Sequence, residues 1–187
     1  MRVLVVYESM YGNTHAVANS VAEGLRDKAC DVTVVPVGRA TEELIRHCDL
    51  LVVGGPTHVH GLPRPSTRRA AAEAAEKPDS RLALEPGALG PGLREWLDGL
   101  APLRGIPAAA FDTRMEGPAL FTGQASHGIA QRLRRRGYNQ AEWLALELGE
   151  RRGCPVSVCL ERAGTAFSQV GRTRLERMEA RLQAARG

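Results

Sequence analysis

Apolar residues open the chain in short unbroken runs separated by small and polar ones. Val3-Leu4-Val5-Val6 gives way to a polar stretch from Glu8 to Thr14, and further runs follow at residues 32–37 and 50–53. Continuous β-branched runs bounded by turn residues predict strands buried on both faces, at residues 2–7, 31–37 and 49–53. Between the first two the period changes, since Val17, Val21 and Leu25 fall on one face of a helix over residues 14–28. Thr41, Glu42 and Glu43 begin a shorter helix that reaches Cys48, with the cap and acidic first turn a helix start favours. The third strand closes on Gly54-Gly55-Pro56.

Ser66 is the predicted N-cap of an alanine-rich helix over residues 69–76. The Pro/Gly-rich connector "KPDSRLALEPGALGPG" leads into the helical "LREWLDGL". "GIPAAAFD" reads as a fourth strand, "SHGIAQRLRRRG" as a basic helix ended by Gly137, and "PVSVCL" as a fifth strand. A loop over residues 163–171 and an amphipathic helix over 172–186 complete the pattern. Strand and helix alternate from end to end, which predicts an α/β fold with a doubly wound parallel sheet and helices on both faces. With 187 residues the chain is expected to be one domain. In such sheets ligands bind outside the carboxyl ends of the strands, where the strand order switches. The loops after strands one, three and four should therefore carry the chemistry.

The first of these loops is Ser9-Met10-Tyr11-Gly12-Asn13-Thr14. Backbone N–H groups around Gly12 can form an anion-binding concavity under the positive end of the following helix, while Ser9, Asn13 and Thr14 add short hydrogen-bonding side chains. An ordinary helix cap uses the same residue types. Neither the triphosphate-binding loop nor the dinucleotide fingerprint is present. The second loop, "GGPTHVHGLPRP", combines Pro56, Thr57 and Gly61 with two histidines. On an extended loop His58 and His60 would face the same side, suited to lining a flat ring rather than, without a third ligand, to holding a metal. In the third loop, "FDTRMEGP", Asp112 and Thr113 end the strand. Asp112 is equally readable as a turn former or as a polar contact to a ligand.

Taken together, "VVYESMYGNTHAVANSVAEGL" and "VVGGPTHVHGLPRPSTR" resemble the first and second flavin loops of the flavodoxin family. The similarity extends through "AAAFDTRMEGP" to "SHGIAQRLRRRGY", resumes more weakly from Pro155, and points to the bacterial stand-alone flavodoxin-like proteins. The resemblance implies a five-stranded sheet of order 2-1-3-4-5 and FMN as cofactor. It places Ser9, Met10, Tyr11, Gly12, Asn13 and Thr14 around the phosphate. Pro56, Thr57, His58 and Gly61 would border the isoalloxazine, with Asp112 and Thr113 at its pyrimidine side. Two departures stand out. The aromatic rings that sandwich the flavin in better-known flavodoxins are missing here, unless Phe121 folds back. Residues 139–154, which include Trp143, read as an insertion.

Charge adds a third departure. Flavodoxins are typically acidic, whereas this chain carries a net charge of +4, with an arginine cluster at Arg132, Arg134, Arg135 and Arg136. Such a cluster usually coats a solvated helix face; an acidic partner or a nucleic acid is the sharper alternative. Only 4% of residues are aromatic, too few to build a stacking surface for single-stranded nucleic acid. Cys30, Cys48, Cys154 and Cys159 make no metal-like spacing; burial of Cys159 in a strand is favoured over a redox pair with Cys154. No segment reaches the ~18 apolar residues of a membrane span, and the N-terminus lacks a secretory pattern, so a cytoplasmic protein is expected. Three functions follow. The favoured one is an FMN-bearing electron carrier serving a redox partner protein, acidic if the chain is a shuttle at all. The others are an FMN-dependent oxidoreductase meeting a quinone or porphyrinogen at the flavin face, and a flavodoxin-shaped interaction module without redox chemistry.

Overall fold

The apolar run of β1 (Arg2–Tyr7) lies in the middle of the sheet, where both of its faces are covered. A computed structural model describes residues 1–102, 105–114, 123–140 and 157–158. β1 pairs in parallel with β2 (Asp31–Pro36) on one side and β3 (Leu50–Pro56) on the other, and β4 (Pro107–Thr113) continues in parallel beyond β3. The sheet is of the doubly wound kind that the alternating pattern predicts, and its order 2-1-3-4 matches the first four strands of the order implied by the resemblance. Successive residues of each strand serve opposite cores. Val3, Val5 and Val52 pack with Ala18, Val21 and Leu25 of α1 (Asn13–Arg26). Leu4, Val6, Leu51 and Val53 pack against the other layer. There Leu93 and Leu97 come from α4 (Leu93–Gly99), and Ile129 and Leu133 from α5 (Ala125–Arg135).

Local chemistry explains the element boundaries. Thr41 caps α2 (Glu42–Arg46), its hydroxyl accepting from the Leu44 N–H at 3.3 Å. α3 (Pro65–Ala75) starts earlier than the Ser66 cap anticipated. Pro65 has its φ already set for the first helical position, and the Arg64 N–H donates to Thr67 Oγ1 at 2.9 Å. β3 runs on through Gly54-Gly55-Pro56, paired residue for residue with Phe111-Asp112-Thr113. Gly54 permits this: the fully buried Phe111 ring fills the space that a Cβ at position 54 would need.

The outer edge of β4 departs from expectation. Asn139–Gln140 pair with Pro107–Ala108 in parallel, immediately after the left-handed Gly137 and buried Tyr138 end α5. Ser157–Val158, from the segment expected to be a parallel fifth strand, run antiparallel to Asp112 and Phe111. The chain leaving α5 takes the start of that edge, leaving only its far half for the later segment. The rest of the insertion, Trp143, Phe121, Cys154, Cys159, the 163–171 loop and the 172–186 helix fall outside the described residues. Cys48 is buried and Cys30 partly so, both as free thiols. No helix among the described residues is long and apolar enough to cross a membrane.

Two glycines should respond oppositely to substitution. Gly54→Ala must displace the Phe111 ring and is expected to cost about 2–4 kcal/mol. Gly61→Ala, with nothing near its added methyl, should stay within about 0.5 kcal/mol of the parent. Urea unfolding of both variants checks the pair; equal effects would mean the ring does not sit over Gly54.

Candidate functional site

After Tyr7 the main chain is still held to β3, with the Glu8 N–H donating to Gly54 O at 3.0 Å. The loop then closes on itself, as Ser9 Oγ accepts from the Gly12 N–H at 3.1 Å. Gly12 sits at φ 89°, the left-handed region that favours glycine, and is the N-cap of α1. Its lack of a side chain matters chemically, since no side chain caps the first N–H groups of α1 and they stay available to an anion. Buried Thr14 ties this loop to the third one, its hydroxyl 2.7 Å from that of Thr113. Met10 is buried and Asn13 exposed. Tyr11 turns away toward α3, donating its hydroxyl proton to Ala71 O at 2.6 Å.

The second loop joins the third through its backbone. Pro56 pairs with Thr113, and the Thr57 N–H donates to Thr113 O at 2.8 Å. Thr57 Oγ1 accepts from the Ala125 N–H at the start of α5. The loop is not extended, so His58 and His60 do not line one side as expected. His58 and Gly61 exchange both main-chain hydrogen bonds, at 2.8 and 3.1 Å, around a two-residue turn. Its central residues Val59 and His60 have φ of 45° and 68°, the signature of a turn whose twist matches a hairpin. For a β-branched residue that conformation is strained, by about 1–3 kcal/mol. Gly123 packs against the His60 backbone and holds the turn from outside.

The third loop divides its roles between two residues. Thr113 meets both other loops. Asp112 is fully buried, and its Oδ2 accepts from the Ser126 N–H at 2.8 Å and the Ser126 hydroxyl at 2.7 Å. The carboxylate therefore caps the first turn of α5. Four further residues shape the site without having been singled out by sequence. Glu8 is buried; its Oε2 accepts from the Leu93 N–H at 2.7 Å, and its Oε1 lies 3.7 Å from the buried Arg68 guanidinium. Burial pushes the Glu8 carboxyl above its usual range, against the pull of the Leu93 N–H and Arg68. Arg68 also faces Glu95 at 3.5 Å, in space left by Gly92. His15 stacks on Tyr7 with ring centroids 4.6 Å apart and meets Glu85 at 2.5 Å. A charge directly after an apolar strand signals Glu8, but nothing local signals its partner on α3.

Loops from the carboxyl ends of β1, β3 and β4 thus meet at Thr113, with an uncapped helix beside them. That is the end of the sheet, at the switch in strand order, where doubly wound α/β proteins as a class bind their ligands. The Flavodoxin family model matches residues 5–98, half of the chain, and the chain belongs to the flavodoxin family. Among solved structures, a flavodoxin from the domain Archaea is 20% identical, covers 77% of this chain and 80% of its own, and has a TM-score of 0.51. A short-chain flavodoxin associated with a non-canonical PDU bacterial microcompartment is 18% identical, with coverages of 76% and 80% and a TM-score of 0.51. Oxidised Flavodoxin 2 from Bacillus cereus is 22% identical, with coverages of 76% and 80% and a TM-score of 0.50. These likenesses show the shared fold. No curated protein matches the sequence.

Two consequences can be measured. Glu8→Ala removes the α4 cap and leaves Arg68 buried beside Glu95 alone, an expected loss of about 3–5 kcal/mol in urea unfolding. A loss below ~1 kcal/mol would mean Arg68 reaches solvent. Burial, and secondly Arg68, hold the His58 imidazole below its usual pKa of 6.5. A lowered folded value means that the contribution of neutral His58 is present above 6.5 and lost as pH falls through the folded value. Protection from hydrogen exchange at residues 58–61, taken relative to the intrinsic rate at each pH, should therefore fall in that acid window, and His58→Gln should abolish the step.

Proposed function

We propose that the protein binds FMN at the three converging loops and carries electrons to a partner protein. The observation that carries this reading is the meeting of the loops at Thr113 beside a helix start that no side chain caps. Membership of the flavodoxin family supports it. The residues present fit the group. Gly12 leaves open space next to α1, where the nearest atom to an added Cβ would be Glu85 Oε1 at 4.0 Å. Ser9, Gly12, Asn13 and Thr14 would hold the phosphate by N–H groups, hydroxyls and helix dipole, with Met10 and Tyr11 fixing the loop from beneath. Pro56, Thr57, His58 and Gly61 would border the ring system, and Thr113 would reach its polar edge while Asp112 fixes α5 behind it. FMN supplies one- and two-electron transfer when bound, and the protein's part is to hold and orient it.

The carrier reading is preferred to substrate chemistry because the half-buried His58 ring is directed to α3, its Nδ1 3.4 Å from Thr67 Oγ1. His58 closes a hairpin, and a lowered pKa leaves it mostly neutral near pH 7, a weak proton donor. The missing ring sandwich favours the second reading, an oxidoreductase that admits a quinone to the open flavin face. The redox partner of a carrier would be acidic. Beside the second loop, Arg94 donates to Leu62 O and Pro63 O, close enough to Arg64 and Arg132 for their charges to depress its pKa further after burial. Residues after α5 would complete a five-stranded order 2-1-3-4-5 within one domain, which the parallel pairing of Asn139–Gln140 supports. The absence of a membrane-spanning helix among the described residues accords with a cytoplasmic place of action.

Titration of the apo protein with FMN and riboflavin tests the reading. FMN is expected to bind more tightly than riboflavin, and Thr14→Ala to narrow that gap by weakening FMN about tenfold. Binding of neither flavin would sink the proposal and leave the interaction module. Rapid turnover of a quinone by the FMN-loaded protein would favour the oxidoreductase.

A further inference from the structure

The connector between α3 and α4 does more than span a gap. Its Glu85 N–H donates to Met10 O at 2.9 Å, and a turn closed by Ala88 N–H on Glu85 O fixes the residue there. The side chain then reaches over the start of α1, where Oε1 meets His15 Nδ1 at 2.5 Å. The same oxygen is the nearest atom to the open side of Gly12. Only 20% of the side chain is exposed, so solvent screens this charge poorly. Around this pair, Tyr7 stacks on His15, and Arg39 of the short 3-10 turn Val37–Arg39 acts on the same Tyr7. Burial raises the Tyr7 pKa, with Glu85 raising it further and Arg39 opposing.

We propose that Glu85 sets the ligand preference of the flavin site, its carboxylate standing as an internal anion at the helix end that a flavin phosphate would use. This deepens the FMN reading and rests on it. A dianionic phosphate at Gly12 meets either a like charge within a few ångströms or the need to part Glu85 from His15. Either way the phosphate adds less to affinity here than in the same loop without the carboxylate. His15, released from Glu85, becomes a donor for the phosphate in its place. Glu85 is thus a specificity residue that narrows the difference between phosphorylated and unphosphorylated flavins.

Glu85→Gln keeps the shape and removes the charge. The full-length apo parent and variant are titrated with FMN, riboflavin and inorganic phosphate, the last followed by the Gly12 and Thr14 amide resonances. The proposal expects about tenfold tighter FMN binding by the variant, unchanged riboflavin binding, and tighter phosphate binding that fades as salt is raised. Equal or weaker FMN binding by the variant overturns the role of Glu85 while leaving the flavin reading intact. Tighter phosphate binding by the variant without FMN binding by either protein overturns the flavin reading, and with it the role of Glu85 in flavin choice. Binding of neither phosphate nor FMN by either protein overturns both. A thermal melt of the variant that matches the parent guards against a folding defect, and Glu85→Ala must then tighten phosphate binding in the same direction.

Discussion

The register of the three central strands governs where every functional group lies. Gly54 stands opposite Tyr7 on one side and Phe111 on the other, so β1, β3 and β4 are aligned at their carboxyl ends. A one-residue slip of β4 would exchange its two faces and drive the Phe111 ring out of its place over Gly54. The same alignment sets Pro56 beside Thr113, from which the contacts to Thr14 and Thr57 follow. The polar rim is therefore a consequence of how the apolar strands pack. Parallel strands buried on both faces leave only their ends free for chemistry.

Charges near that rim are mostly committed to one another. Glu8 caps α4 and faces Arg68, His15 meets Glu85, and on the α5 side Arg132 meets Asp98 at 3.0 Å. Arg136 also donates to the main-chain oxygen of Asp98. Part of the arginine on α5 thus fastens that helix to the end of α4, while the net charge of +4, which already counts Asp98, stays as it is. An anion at Gly12 would be held by N–H groups and hydroxyls rather than by a formal positive charge. Such a site depends on what other negative charge lies near, which is why one carboxylate from a connector carries weight.

Much of this was legible because the period of the apolar residues is a local property. Val3 to Val6 and Leu50 to Val53 announce buried strands by themselves, and the first strand's bounds agree with those read from the chain. The Gly12 loop was legible for the same reason, since glycine and small polar residues follow a strand and open a helix. What escaped notice was non-local. Nothing near Gly54 says that a phenylalanine beyond position 100 needs its space, and nothing near Glu8 names Arg68. The connector with Glu85 reads as mere Pro/Gly linker until its main-chain bond to Met10 is seen. Asp112 was placed correctly at a strand end, yet its carboxylate faces the helix behind the loops, a direction no residue pattern encodes.

The turn at Val59 and His60 shows where local preference and fold disagree. A hairpin loop of this kind favours asparagine and glycine, and here it holds a β-branched residue that is 82% exposed. Val59 therefore gains little from packing to offset its backbone strain. The restraint comes from outside: the Thr57 hydroxyl fastened to the start of α5, and the His60 backbone seated on Gly123. Strain sustained by surrounding structure is common where a ligand or partner is met. At the edge of the second loop, it leaves an apolar side chain exposed near Arg64 and Arg94. A partner docking there would meet a fixed apolar tip beside positive charge, without first having to order the loop.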